Sequence, residues 1–320
     1  MIQNAYLQYL KQYYPNAVED YCSRKKSIDY IVDEFSNYDE NDYKNYISAK
    51  DQMAQKYLAK YVDEIISHQA FPLFNKIEIE TINKCNNICS FCPVNINTDT
   101  REFKKMPMSL FEKIINQLSD VSYSGAINLF SNNEPLLDKE LMKKLELTRR
   151  MLKNAYIYIY TNGLLLSPSS LLEILEYVDF IHINNYNTAP ELLPGHNDLQ
   201  RTLIQNNVPI NKAEIHLRNI NECLSTRAGE SPNRNNCVQL NSICILPFSQ
   251  IVIRPDGKIS LCCNDARGKY TLGDVSIDNI VDIWNNDAFK AIRNNMLKGR
   301  NFQMPCSKCD MLFMPLTFEH

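Results

Sequence analysis

Residues 84–93 read Lys-Cys-Asn-Asn-Ile-Cys-Ser-Phe-Cys-Pro and place Cys85, Cys89 and Cys92 just after a predicted strand, Ile77–Ile82. Three thiolates can hold three irons of a four-iron cubane cluster, so this spacing leaves one iron open to another ligand. A zinc site with this spacing would need a fourth protein ligand nearby, and no histidine or cysteine follows closely. The loop therefore predicts an iron–sulfur site. The alternative is a zinc loop or a loop of structural thiols.

Predicted strands and helices alternate downstream of this cysteine loop. The β-branched and aromatic runs that predict further strands are Ala126–Phe130, Tyr156–Tyr160, Phe180–Asn184 and Glu214–Leu217. Helical stretches such as Ser109–Ser119 and Asp138–Leu152 separate them. Repeated strand–helix units imply parallel strands that are joined by right-handed crossovers. The sequence therefore predicts an α/β fold with at least five parallel strands, while a sixth is not clear.

The three-cysteine motif in this setting resembles the radical SAM superfamily, and the resemblance covers residues 75–315. It implies a partial (β/α)6 TIM-like barrel, shortened here, with the ligand site at the C-terminal ends of the strands. It also implies a [4Fe-4S] cluster whose open iron takes S-adenosylmethionine (SAM). Reductive cleavage of SAM would give a 5′-deoxyadenosyl radical that abstracts a hydrogen atom from the substrate.

A second set of cysteines follows residue 236. Phe248–Ile253 and Ile259–Cys262 predict a hairpin, because an Asp-Gly turn lies between alternating apolar runs. A helix over Ile280–Leu297 and a terminal C-x2-C motif follow. Such a segment can bring four thiolates together, which satisfies one closed cubane cluster. The members of this set are Cys237, Cys244, Cys262, Cys263, Cys306 and Cys309.

This segment resembles the SPASM and twitch extensions of radical SAM enzymes. The spacing from Cys244 through Gly257 to Cys262 fits their pattern, and no cysteine follows the C-x2-C motif. The resemblance therefore implies the twitch form, with one auxiliary [4Fe-4S] cluster on Cys244, Cys262, Cys306 and Cys309. A structural zinc is the alternative, since soft thiolates accept either metal. Neighbouring strand residues point to opposite faces, and family position favours Cys262 over Cys263.

The resemblance also implies a set of SAM-binding residues. Phe91 would border the adenine, and Asn133 with Glu134 would occupy the place of a Gly-Gly-Glu motif that meets the amino group. Thr161 and Asn162 lie where the family contacts the ribose. Asn184 ends the fourth strand. Arg218, with Arg227 as the second choice, would pair with the carboxylate. His182 and His216 are single histidines on predicted strands, and this pattern favours satisfied core residues over a base.

Composition limits the classes of partner and the compartment. The formal net charge is −3, and no basic tract is present, so nucleic acid is not the expected partner. No apolar run reaches the length of a membrane span, and no secretory signal pattern is visible. The eleven cysteines of this 320-residue chain therefore indicate a cytoplasmic metalloprotein rather than a disulfide-bonded secreted one.

Three domains are predicted: a helical N-terminal extension over 1–74, a radical SAM barrel over 75–236 and an auxiliary-cluster domain over 237–320. Apolar spacing in Ala54–Ile66 predicts an amphipathic helix within the extension, either a cap that packs on the barrel or a docking surface.

The predicted function is a radical SAM oxidation. The resemblance extends to twitch-bearing dehydrogenases of aminocyclitols, and it implies dehydrogenation of a sugar, cyclitol or peptide with the auxiliary cluster as electron acceptor. An electron donor such as flavodoxin or ferredoxin would serve the enzyme. The first alternative is an epimerase or peptide-modifying enzyme in which Cys223 or Cys237 donates a hydrogen atom. The second is a non-enzymatic iron–sulfur electron carrier.

Overall fold

The computed structural model describes residues 38–48, 51, 73–302 and 304–312. One eight-stranded sheet organises this part of the chain. Its strands are β1 (Lys76–Ile79), β2 (Ala126–Asn128), β3 (Tyr156–Thr161), β4 (Phe180–Asn187), β5 (Ala213–Asn219), β6 (Gln250–Ile253), β7 (Lys258–Ser260) and β8 (Thr271–Asp274). Their order across the sheet is β5-β4-β3-β2-β1-β6-β7-β8.

The sheet joins the predicted barrel to the predicted hairpin. Strands β1 to β5 pair in parallel, and β6 pairs in parallel with the free edge of β1, with Ile77 opposite Ile251. A sixth parallel strand therefore exists, although the sequence did not make it clear. It is shorter than the predicted Phe248–Ile253, because Leu246–Ser249 forms a helical turn. Strands β7 and β8 complete an antiparallel edge.

Side chains alternate between the two faces of the sheet. Ile77 and Ile79 of β1 and Ile157 and Ile159 of β3 are fully buried in the apolar core. The intervening residues are polar or aromatic and form what we call the polar face. The polar face comprises Lys76, Glu78, Asn128, Tyr156, Tyr158, Tyr160, His182, Asn184, Tyr186, Glu214, His216 and Arg218. Helices Met108–Asp120, Leu141–Met151, Pro168–Tyr177 and Pro194–Gln205 connect successive strands.

The C-terminal segment differs in one element from the sequence prediction. The helix predicted over Ile280–Leu297 is two helices, Ile280–Trp284 and Asp287–Met296. The break occurs because the Asn286 side chain accepts a 2.9 Å hydrogen bond from the Phe289 amide and caps the second helix. No helix among the described residues is long and apolar enough to cross a membrane.

A short part of the N-terminal extension is described. Residues 40–48 are helical, and Tyr43 and Ile47 pack in one apolar cluster with Leu240, Ile245 and Leu312. The described part of the extension thus packs on the C-terminal segment. The amphipathic helix predicted over Ala54–Ile66 lies outside the described residues.

Candidate functional site

The first cysteine loop lies where the sheet ends after β1. The Asn95 amide donates hydrogen bonds to the carbonyls of Cys89 at 2.9 Å and Cys92 at 3.0 Å, which fixes the turn between them. The pKa of Cys85 is raised to about 12, chiefly by burial and also by the nearby Glu134 carboxylate and Cys92 thiol. Burial also raises the pKa of Cys89, as do Cys92 and Cys85. The three thiols are therefore mutually close and suit a three-iron attachment, which must displace their protons.

Glu134 ties the cysteine loop to the end of β3. Its amide donates to the Lys84 carbonyl at 2.8 Å, and its carboxylate accepts from Thr161 Oγ1 at 2.7 Å and from the Asn162 amide at 2.8 Å. Burial raises the pKa of Glu134 to about 7, against the lowering effect of these donors. The carboxylate thus turns towards protein groups and orders the loop that was predicted to meet the SAM amino group.

Asn162 completes this junction. Its side-chain amide donates to Asn86 Oδ1 at 2.8 Å and lies 3.9 Å from the Cys85 sulfur. Its backbone carbonyl lies 3.0 Å from His196 Nε2. The predicted residues Glu134, Thr161 and Asn162 are therefore brought together beside the first cysteine, as a cofactor site at this edge requires.

The other predicted SAM residues contact neighbouring strands and loops. The Phe91 ring lies 5.8 Å from the Tyr186 ring, and Asn184 Oδ1 lies 3.1 Å from His182 Nε2. Asn133 Oδ1 accepts from the Ser131 amide at 2.9 Å.

The two arginines predicted for the SAM carboxylate both have protein partners. Arg218 Nε and Nη2 both lie within 2.7 Å of Glu222 Oε1. Arg227 donates to Asn132 Oδ1. Glu222 thus engages Nε and Nη2, and Arg218 can direct Nη1 at a SAM carboxylate.

Sequence reasoning missed Arg101, which connects three segments around the loop. Its guanidinium donates to Glu80 at 2.9 Å, to the Asn83 carbonyl at 2.7 Å and to the Asn132 carbonyl at 2.9 Å, and it is bonded to Asp99. No motif marks this arginine, because its partners are mostly backbone carbonyls that only the fold brings together.

The second cysteine set gathers four thiols from three segments. Burial raises the pKa of Cys262 well above its usual range, and the nearby thiols of Cys263, Cys309, Cys244 and Cys306 raise it further. Cys244 and Cys306 also contact the same apolar pair, Phe248 and Met296. The predicted four-thiol set is thus assembled around Cys262 and has the donors that a closed cluster needs.

Cys263 lies beside that set, where it packs with Cys244 and Cys262, and it also reaches the polar face. Burial raises its pKa to about 12, and its thiol interacts electrostatically with Glu78 and Lys76 of the polar face and with Arg227. The Asn132 side-chain amide donates to the Cys263 carbonyl at 3.0 Å. Cys262 therefore belongs to the thiol set, and Cys263 lies between that set and the polar face.

The predicted hydrogen donors lie elsewhere. The Cys223 amide donates to the Tyr38 carbonyl at 2.7 Å, and the charged neighbours of its thiol include Arg234 and Glu40. The Cys237 thiol contacts the Val238 carbonyl at 3.6 Å. The described neighbours of these two thiols include Arg234 for both and Thr226 for Cys237, none of which belongs to the polar face, whereas Cys263 lies beside Lys76 and Glu78 of that face.

The two strand histidines are not separate core residues. His182 Nδ1 and His216 Nε2 both contact Glu214 Oε1, the latter at 3.1 Å. Burial lowers the pKa of His182. Burial alone would raise the pKa of Glu214. Hydrogen bonds with His182 and His216 outweigh burial and hold this pKa well below its usual range. The period-two alternation placed these residues on one face, but only the strand register brings them together.

Comparisons with known proteins agree with this geometry. The radical SAM superfamily model matches residues 79–223, and the SPASM model, an iron–sulfur cluster-binding domain, matches residues 244–310. The chain is 27% identical over 240 residues to an S-adenosyl-L-methionine-dependent 2-deoxy-scyllo-inosamine dehydrogenase of Niallia circulans, covering 74% of this chain and 93% of that protein.

Two solved structures have the same architecture. A structure of BtrN in complex with AdoMet and 2-DOIA superposes with a TM-score of 0.65 at 25% identity, over 76% of this chain and 95% of BtrN. BtrN in an open conformation gives a TM-score of 0.57 at 24% identity, over 75% of this chain and 94% of BtrN. The parallel sheet with its cysteine loop is thus a TIM-like radical SAM fold.

Proposed function

We propose that this protein, which belongs to the radical SAM superfamily and carries a C-terminal SPASM domain, dehydrogenates an alcohol of an aminocyclitol or related sugar. When bound, the loop cluster and SAM supply the 5′-deoxyadenosyl radical that abstracts a hydrogen atom from the substrate. Cys85, Cys89 and Cys92 would hold that cluster. Cys244, Cys262, Cys306 and Cys309 would hold the auxiliary cluster as the electron acceptor.

The remaining residues would bind and orient SAM and the substrate. Phe91, Asn133, Thr161, Asn162 and Asn184 would contact SAM, while Glu134 orders their loops. Arg218 would reach the SAM carboxylate through Nη1. The polar face offers imidazole, phenol, amide and carboxylate groups, which suit the hydroxyl and amino groups of a small polar substrate. The likeness to a cyclitol dehydrogenase supports this substrate class over a peptide.

One observation supports oxidation as the reaction. Cys262 belongs to the four-thiol set, and the adjacent Cys263 lies beside Lys76 and Glu78 of the polar face. An auxiliary cluster on Cys262 would therefore lie next to the space in which a substrate radical forms. A short separation of donor and acceptor favours loss of an electron from that radical, with its hydroxyl proton released to a base.

The test is anaerobic turnover of reconstituted protein with SAM, a reductant and 2-deoxy-scyllo-inosamine. The proposal expects a ketone that is two hydrogens poorer than the substrate, formed one for one with 5′-deoxyadenosine. The Cys85→Ala/Cys89→Ala/Cys92→Ala variant is the control and should form neither. Formation of 5′-deoxyadenosine with no ketone from any cyclitol or sugar alcohol would contradict the proposal.

Epimerisation is the second candidate, because Cys263 brings a thiol to the polar face. In that reaction the thiol would give a hydrogen atom to the substrate radical, an electron from the auxiliary cluster and a proton would restore the thiol from its thiyl radical, and the product would be an isomer. Turnover in deuterium oxide separates the two reactions. A deuterated isomer that disappears in Cys263→Ala supports epimerisation, and a ketone from both proteins supports oxidation.

Electron delivery and location complete the proposal. We propose that a flavodoxin or ferredoxin reduces the loop cluster and that the protein works in the cytoplasm. None of the cysteines among the described residues is in a disulfide bond, which suits a reducing compartment. Replacing dithionite with reduced flavodoxin in the turnover assay tests the donor.

A further inference from the structure

Three metal-ligating side chains converge on the polar face, apart from both cysteine sets. They are His182 of β4 and Glu214 and His216 of β5, and one ligand atom from each lies within 4.8 Å of the others. The exposed fractions of the three side chains are 9%, 12% and 16%, respectively. The group is therefore shielded from bulk water but not sealed.

The sheet holds this group rigidly. His182 is opposite Glu214, and Asn184 is opposite His216, in the parallel register of β4 and β5. The His182 ring lies 4.5 Å from the Tyr160 ring and 4.2 Å from the His216 ring. Side chains on paired strands with packed rings are pre-organised, and pre-organisation is what a ligand site needs.

Asn184 orients the first imidazole. Its Oδ1 lies 3.1 Å from His182 Nε2, so the other nitrogen, Nδ1, is the one directed at Glu214. Histidines that bind metals almost always engage their second nitrogen with a neighbouring acceptor, which sets the ring and its tautomer. His182 thus already has the outer partner that a metal ligand would use.

The charge of Glu214 is not balanced by a fixed cation. Within the described part of the chain, its ion-pair partners are the two histidines, and no lysine or arginine pairs with it. Nearby Arg218 is paired with Glu222 instead, and Lys76 is paired with Glu78. A largely buried carboxylate without a permanent cation is costly, and a bound metal ion would offset that cost.

We propose that His182 Nδ1, Glu214 Oε1 and His216 Nε2 bind one divalent transition-metal ion of the class that includes Zn²⁺ and Fe²⁺. Two imidazoles and one carboxylate are a recurrent donor set for these ions, and they leave coordination positions open. The open positions would face the polar face, where water or a hydroxyl group of a ligand can occupy them. This site shares the polar face with the substrate proposed above, and its test measures metal binding separately from the oxidation.

The experiment uses holoenzyme with both clusters loaded, so that the seven cluster cysteines are occupied, and Zn²⁺ alone as the probe. Anaerobic calorimetry should show one Zn²⁺ bound per chain. X-ray absorption at the zinc edge should show only nitrogen and oxygen ligands at about 2.0–2.2 Å. Glu214→Gln and His216→Asn should each weaken binding by at least about 100-fold, since each removes a direct ligand. Tyr158→Phe, which changes a polar-face residue outside the triad, is the matched control and should bind Zn²⁺ as the wild type does.

Three results would overturn the site: no Zn²⁺ bound by wild type, sulfur ligands at about 2.3 Å, or wild-type affinity in Glu214→Gln. Iron content and 5′-deoxyadenosine formation are measured on every variant. If His216→Asn does not load its clusters, His182→Gln takes its place. Normal SAM cleavage without zinc binding would refute the metal site and leave the proposed oxidation intact.

Discussion

The two cysteine sets are built in opposite ways. Cys85, Cys89 and Cys92 lie within eight consecutive residues, and one asparagine, Asn95, holds the carbonyls of two of them. The second set draws Cys244, Cys262 and the Cys306–Cys309 pair from three segments that meet only after the sheet and the last helices have formed. The first is a local loop with three donors, and the second is a tertiary assembly with four.

This difference separates two tasks. Three donors on one loop leave an iron open for SAM, so the loop can start chemistry but adds little to the fold. Four donors from distant segments leave no iron open, so the assembly can accept electrons and also cross-links the C-terminal region. Loss of the first set should therefore remove activity at small cost in stability, and loss of the second should cost both.

The largest effect is expected from Cys85→Ala/Cys89→Ala/Cys92→Ala. Bound iron should fall from about eight to about four per chain, and 5′-deoxyadenosine formation should fall to the reagent background, because the open iron is gone. The midpoint of thermal unfolding should change little. Iron analysis, the SAM cleavage assay and calorimetry measure the three quantities. Unchanged iron would contradict the assignment of the loop.

A matched pair, Cys262→Ala and Cys263→Ala, tests the assembled site. Cys262→Ala should lose the auxiliary cluster and lower the free energy of unfolding by several kcal/mol, since metal binding there contributes to folding. Cys263→Ala should keep about eight irons, because its thiol faces Lys76 and Glu78 instead. Iron counting and denaturant unfolding compare the two. Loss of the auxiliary cluster in Cys263→Ala, with about eight irons kept in Cys262→Ala, would make Cys263 the ligand.

A smaller effect is expected at Asn132, which connects the two regions. Its side chain donates to the Cys263 carbonyl at 3.0 Å and accepts from Arg227, while its own carbonyl accepts from Arg101. Asn132→Ala removes these two side-chain bonds and a third, to Ser131 Oγ at 3.3 Å, and should cost about 1–3 kcal/mol of unfolding free energy. Asn132→Asp keeps the acceptor for Arg227 and should fall between Ala and wild type. Equal stability of all three would show that this contact does not join the regions.

The last effect concerns pH and Glu134 beside the loop, and it is small at any one pH step. Burial raises its pKa from 4.5 to about 7, so the folded protein holds more protons than the unfolded chain, and stability should fall as pH rises from about 4.5 to 7. The slope is at most about 1.4 kcal/mol per pH unit for one group. Burial raises the pKa of Glu80 to about 7 and also raises the pKa of Asp265, so Glu134→Gln should remove part of this downward contribution and leave the rest. Urea unfolding of wild type and Glu134→Gln at several pH values measures the slope of stability against pH. An unchanged slope in the variant would contradict the raised pKa of Glu134.

The sequence predicted the features that depend on local patterns, and it missed the contacts that depend on how the strands pair. The loop spacing, the five parallel strands and the four-thiol set follow from patterns along the chain. The parallel pairing of β6 with β1 could not be predicted, because an Asp-Gly hairpin indicates only its own antiparallel partner. His182, Glu214 and His216 share a face by alternation, but their convergence depends on β4 and β5 pairing at His182 and Glu214. Arg101 was missed because it binds mostly carbonyls.

The most direct test of the central claim is electron–nuclear double resonance on reduced protein with SAM labelled with ¹⁵N at its amino group. Two variants divide the clusters: Cys262→Ala/Cys306→Ala keeps only the loop cluster, and Cys85→Ala/Cys89→Ala/Cys92→Ala keeps only the auxiliary one. We expect ¹⁵N coupling to the loop cluster in the first variant and none in the second, because only the loop leaves an iron open. Coupling in the second variant, or none in the first, would contradict this account.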